Sequence, residues 1–261
     1  MTAAQIAKEI ALRPGEWEEY RSGQRIAQQS VIDRISTHLP EAQAVFAHGL
    51  WRALNPGDSW LATKQAIVHF QEIVDMQLLR RSLEDRTLRR RLTLRHPLDG
   101  LALAVLQTRS NQRQGDEAEA FLWARISMQE LLILALREEC RTAYICVWDA
   151  LKFGVLANVS DGQFRIATKQ NCIEDLVSSL WDRLTELVRL ASGGFDRTDS
   201  SYFADSTLAD FYSKFIVLAL TPGSKSAEEL QGLLQATHAR GFSRDDYASI
   251  ATYPLLQEIG P

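Results

Sequence analysis

The chain has 261 residues, more than one ordinary core holds, so one large domain or two smaller ones are expected. Hydrophobic residues make up 46% and charged residues 24%, the profile of a globular rather than a disordered chain. A net charge of -4 excludes a general electrostatic attraction to nucleic acid or anionic lipid, so polyanion binding needs a local basic patch.

The first ten residues, Met1 to Ile10, lack a basic start followed by an apolar run, and so do not read as a secretory signal. The longest apolar runs, Leu131 to Leu136 and Phe215 to Leu220, are far shorter than the roughly 20 residues that cross a bilayer. Three cysteines (Cys140, Cys146 and Cys172) sit in mainly apolar contexts and read as reduced thiols of a cytoplasmic protein.

Helical periodicity dominates the chain. Residues 2-12 form an amphipathic stretch, and Pro14 opens a second helix that ends at Ser22-Gly23. Residues 27-38 carry Val31, Ile32 and Ile35 on one face. Pro40 opens a helix with Val45, Phe46, Leu50, Trp51 and Leu54 directed inward. Asn55-Pro56-Gly57 is a strong turn signal and divides the chain into units 1-57 and 58-261.

Beyond it, Ser59 or Asp58 caps a long helix whose apolar set includes Leu61, Ile67, Val68, Phe70, Ile73, Val74, Leu78 and Leu79. A basic helix runs on to about Leu94, and His96-Pro97-Leu98-Asp99-Gly100 breaks it. Residues 99-108 are short and apolar, and Ser110 to Gly115 reads as a polar loop. Asp116 to Arg141 is the clearest helix, acidic at its start and apolar over more than half its circumference, as a central core helix would be. Ser160-Asp161-Gly162 lies between Val155-Val159 and Gln163-Ile166, a pattern that permits one small β-hairpin. Helices are expected again at 171-190, 208-220, Ser226 to Ala239 and from Ser243 to Pro254, with a surface loop from Ser192 to Ser206.

Residues 2-36 carry a more specific pattern. Ala7 and Leu12 lie in the first helix, followed without a gap by Trp17-x-x-Tyr20-x-x-Gly23-x-Arg25 and a helix with Val31, Ile32 and Ile35. This resembles the helix-turn-helix of the phage-repressor (Cro-like) family, over roughly 35 residues. The resemblance implies a four-helix unit in which Ala7 allows a close crossing, Trp17 and Tyr20 pack the second helix, and Gly23 takes a conformation other residues resist. It also implies DNA contact through exposed polar or basic side chains of the second helix. This chain departs from that pattern, because Glu16, Glu18 and Glu19 are among those positions and carboxylates repel phosphates. Residues 1-36 balance Lys8, Arg13, Arg21, Arg25 and Arg34 against Glu9, Glu16, Glu18, Glu19 and Asp33.

A second charge feature is the run Arg80, Arg81, Arg86, Arg89, Arg90, Arg91 and Arg95, opposed only by Glu84 and Asp85. Such a face can neutralise phosphates, grip an acidic protein by bidentate pairing, or stay solvated. His38, His48, His69, His96 and His238 form no helical pair of metal-site spacing, and the spacing of Cys140 and Cys146 is too wide for a zinc pair. Asp196, Asp199 and Asp205 do not match a calcium loop. No cofactor, metal site or catalytic residue is assigned.

The expected architecture is all-α: an N-terminal helix-turn-helix-like unit followed by a larger helical domain. The expected function is that of a non-enzymatic regulatory or accessory protein of bacterial type, with DNA contact through Arg13, Arg21, Gln24 and Arg25 and a second patch at Arg89, Arg90 and Arg91. The larger domain would serve self-association or partner binding. The alternative is an immunity-like or adaptor module whose arginine helix binds an acidic partner, and the third reading is an enzyme with no sequence motif.

Overall fold

The structure is a computed structural model that describes residues 28-38, 43, 47-55, 57, 59-84, 97-135, 143-166, 168, 173, 177, 216, 220 and 255-259. The fold of these residues is all-α, as the periodicity implies. The helices, numbered here in chain order, are α1 Gln29–His38, α2 Gly49–Leu54, α3 Trp60–Ile73, α4 Met76–Arg80, α5 Pro97–Gln114, α6 Glu117–Ala135 and α7 Ala143–Leu151. A 3-10 turn at Arg81–Leu83 extends α4, and a π turn at Lys152–Leu156 extends α7. Two short strands, β1 Phe164–Ile166 and β2 Leu256–Glu258, pair antiparallel with Phe164 opposite Glu258.

The α5–α6 hairpin is the centre of the molecule. Pro97 starts α5, where its missing N–H costs nothing. At the other end Gly115 has φ 72°, the left-handed stop that side chains resist. The Gly115 N–H bonds to Gln112 O at 3.2 Å and the Asp116 N–H to Asn111 O at 3.0 Å, which closes the last turn of α5. Asp116 then begins α6, its Oδ1 accepting from Glu119 N at 3.1 Å. A link of two residues, Gly115 and Asp116, therefore joins the two helices. The polar loop expected at Ser110 to Gly115 is instead the end of α5. Its side chains bond back along the helix, Asn111 Nδ2 to Gln107 O and Gln114 Nε2 to Ser110 Oγ, both at 2.9 Å.

Leu101 to Leu106 on α5 are all buried, and α6 is buried from Ile126 to Ala135 without a break. A helix buried on every side is enclosed by its neighbours, and α4, α5, α7 and β1 all pack against α6. Arg125 on α6 donates through Nε to Leu220 O, which ties that residue to the central helix. Burial pushes the Arg125 guanidinium down to about 10, with the charge of Asp161 opposing the shift. Leu50, Ala53 and Leu54, before the Asn55-Pro56-Gly57 turn, share one core cluster with Ile67, Phe70, Leu101 and Leu131 beyond it. Val31 and Ile35 on α1 are buried as the sequence pattern requires.

Several expected elements differ in extent. Of the helix expected from Pro40, residues 40-42 and 44-46 lie outside the described residues, and α2 starts at Gly49 because His48 caps it: its Nδ1 accepts from Leu50 N at 3.1 Å. That acceptor role leaves the ring proton on Nε2, which donates to Asp99 Oδ1 at 2.9 Å and joins the start of α2 to that of α5. Trp51, expected inward, is 43% exposed. Ser59 does cap α3, accepting from Ala62 N at 3.2 Å, but the long helix ends at Ile73. The reason is Asp75, whose side chain accepts from Leu78 N at 2.9 Å and starts α4 anew. Leu61, Val68 and Ile73, taken as part of the apolar stripe, are exposed, while Thr63, Ile67 and Phe70 are buried.

The permitted hairpin is also altered. The Asp161-Gly162 turn forms, with Gly162 at φ 91° and Asp161 Oδ1 accepting from Gln163 N and Phe164 N at 3.0 and 2.7 Å. Its first arm is not a strand: Val155 and Leu156 lie in the π turn, and Ser160 and Arg165 form only an isolated bridge. β1 pairs instead with β2. The helices expected at 2-22, at 171-190 and from 208 to 254, and the loop from Ser192 to Ser206, lie almost entirely outside the described residues.

Candidate functional site

An open cleft of about 230 Å³ lies where the C-terminal turns of α5 meet the π turn. Among the described residues it is lined by Arg109, Gln112, Arg113 and Gly154. Arg109 and Arg113 stand four residues apart on α5, so they share one face of the helix.

Neighbouring elements fix each of these side chains. Arg109 is 5% exposed, and its Nη1 donates to Ala53 O at 2.7 Å, placing a cation at the carbonyl end of α2. Gln112 Nε2 donates to Val155 O at 3.2 Å and fastens α5 to the π turn. Arg113 Nη1 reaches Thr63 Oγ1 at 3.4 Å, and its guanidinium carbon lies 5.8 Å from the centre of the Trp60 ring. Lys64 Nζ lies 4.7 Å from the same ring. Gly154 completes the lining, and a methyl group placed there would meet Leu54 O at 3.5 Å, an ordinary contact. Arg109, Gln112 and Arg113 thus line one opening, with Arg109 itself buried. Guanidinium forks match planar oxyanions in two-point pairing.

The residues the sequence singled out do not build this cleft. Arg13, Arg21, Gln24 and Arg25 of the repressor-like unit, and Arg89, Arg90 and Arg91 of the basic run, lie outside the described residues. Of that run, Arg80 donates through Nη2 to Glu119 Oε1 at 2.8 Å, a half-exposed pair that joins α4 to α6. The Arg81 N–H bonds to Gln77 O and Leu79 O at the end of α4. Arg109 and Arg113 were missed because their surroundings read as the start of a loop. The signal was the four-residue spacing of two arginines, visible once α5 is known to continue.

Cys146, on α7, is half-buried, and burial together with the charge of Asp149 pushes its thiol above the usual range. That is the opposite of what a nucleophilic cysteine needs. Among the described residues no three of His, Cys, Asp and Glu gather to hold a metal ion. None of the described helices is long and apolar enough to cross a membrane. Comparison with protein-family models, with curated proteins and with solved structures finds no match for this chain.

Proposed function

We propose that this chain is a non-enzymatic accessory protein whose helical body recognises an acidic protein partner. The observation that carries this reading is the placing of Arg109 and Arg113 on one face of α5, where both line one open cleft. A chain of net charge -4 repels acidic proteins on average, so a local basic cleft confers selectivity for where an acidic group docks. The anchoring of Arg109 and Gln112 to backbone carbonyls pre-organises the cleft before a partner arrives.

A second reading is favoured by the Trp17, Tyr20, Gly23 and Arg25 spacing: a regulator that contacts DNA through Arg13, Arg21, Gln24 and Arg25, with Arg89 to Arg91 as a further patch. One experiment separates the two. The full chain is passed over immobilised poly-glutamate and over immobilised duplex DNA at rising salt. The first reading expects poly-glutamate retention that falls when Arg113 becomes Glu, with an Arg13→Ala, Arg21→Ala, Arg25→Ala variant unaffected. Retention on poly-glutamate unchanged by Arg113→Glu sinks it. Retention on DNA that declines steeply with salt and is lost in the triple variant supports the second.

A further inference from the structure

We propose that His48 is a proton-operated latch on α2, closed while its imidazole is neutral and opened when the ring takes a second proton. Both ring nitrogens are committed. Nδ1 accepts from the Leu50 N–H at 3.1 Å, and Nε2–H donates to Asp99 Oδ1 at 2.9 Å. An acceptor nitrogen carries no proton, so this pair of bonds belongs to the neutral ring alone. Histidine is the side chain whose charge changes between about pH 5 and 8. The His48 side chain keeps 20% of its surface exposed, so protons from solvent reach it.

A second proton acts unequally at the two nitrogens. At Nε2 the bond to Asp99 is kept and becomes charge-assisted. At Nδ1 a donor replaces the acceptor, and two N–H groups then point at each other. Whether the ring turns away or the helix start yields, the Leu50 N–H loses its partner. A cation at the first turn also opposes the helix dipole. The start of α2 has little slack: the helix is only Gly49–Leu54, and a Cβ at residue 49 would meet the Phe70 ring at 2.7 Å. Among the described residues around the ring, α5 presents Asp99 and α3 the uncharged Phe70, 5.9 Å between ring centres. His69 packs on that same Phe70 ring at 5.5 Å, and Arg52 is the charged residue of α2 itself. None of these can replace the lost acceptor, since Asp99 is already bonded at Nε2. At its far end α2 offers Ala53 O to Arg109 Nη1 at 2.7 Å, so the latch acts on the helix that anchors a residue of the cleft.

The test is amide hydrogen exchange of the full chain followed by NMR, corrected for the intrinsic effect of pH. The protection of the Leu50 amide is expected to fall about tenfold between pH 7.5 and 5.5, while amides of α6 hold theirs. His48→Asn keeps a capping oxygen but gains no proton in this range, so its Leu50 protection is expected to be high at both pH values. His48→Ala, which has no cap, is expected to be low at both. The His48→Asn variant still contains His69 and so separates the two histidines, and circular dichroism checks that both variants fold. A wild-type Leu50 protection that is equal at the two pH values overturns the latch. So does the same fall in His48→Asn, or ring nitrogen shifts showing Nδ1 protonated at pH 7.5.

Discussion

At Gly49 the chain has no room for a methyl group. A Cβ there would sit 2.7 Å from two ring carbons of Phe70, a buried side chain of α3. Gly49→Ala must therefore displace a core ring, and is expected to cost about 1–3 kcal/mol, the usual penalty of overpacking, in urea unfolding. Gly115→Ala gives a contrast, because nothing lies within 4 Å of its Cβ and only the φ of 72° is strained. Its cost is expected near 1 kcal/mol. Cys146 yields a chemical prediction. A thiol pushed up by burial and by Asp149 holds less thiolate at any given pH. Its alkylation, followed by peptide mass spectrometry, is expected to lag behind a free cysteine at pH 8 and to approach it only in more alkaline buffer. Alkylation at pH 8 as fast as that of free cysteine would contradict the burial that shifts it.

At the scale of elements, short polar side chains decide where helices start. His48, Ser59, Asp75 and Asp116 each accept a backbone N–H at the first turn of a helix. Asp116 has the heaviest duty, because its N–H also closes α5. Asp116→Ala is expected to lower stability by about 1 kcal/mol, and Asp116→Asn, which keeps a capping oxygen, by less. Equal losses from the two substitutions in thermal unfolding would show that the cap contributes nothing. These capping residues explain what could be read beforehand. Ser59 and the acidic start of α6 carry their signals in adjacent residues, and both were legible. The break at Asp75 was not, since Leu78 and Leu79 continue an apolar pattern across it. The extension of α5 was hidden by Ser110, Asn111, Gln112 and Gln114, polar residues that read as loop until their bonds to the preceding turn are seen. The two arginines of the cleft were lost with that extension.

For the molecule as a whole, the all-α character was written in the periodicity, but the distant contacts were not. β2 has no local signature, and its role depends on meeting Phe164 and Ile166 from a remote part of the chain. Likewise Ile173, Val177, Ile216, Leu220 and Leu255 enter the same core as the α5–α6 hairpin. Such pairings depend on three-dimensional proximity, which one sequence does not encode in any neighbouring residues. Leu255, fully buried just before β2, tests the closure directly. Leu255→Ala is expected to cost about 2–5 kcal/mol, as a buried leucine does. It should also speed amide hydrogen exchange at Arg165, which stands opposite Gln257 in the register, relative to α6. Unaltered exchange there would mean that β1 holds its place without its partner.

The pairing of Phe164 with Glu258 also sets an order of events during synthesis. A ribosome adds residues one after another, and about ninety of them separate the two strands, on the order of ten seconds of elongation. The α5–α6 hairpin, with its two-residue link, emerges early and can close on itself at once. The edge of β1 must wait in the nascent chain, its backbone groups open to other chains until residues 256-258 leave the exit tunnel. Slower elongation through that interval lengthens the wait, so the yield of folded protein in cells should depend on codon usage between the two strands more than on codon usage before them.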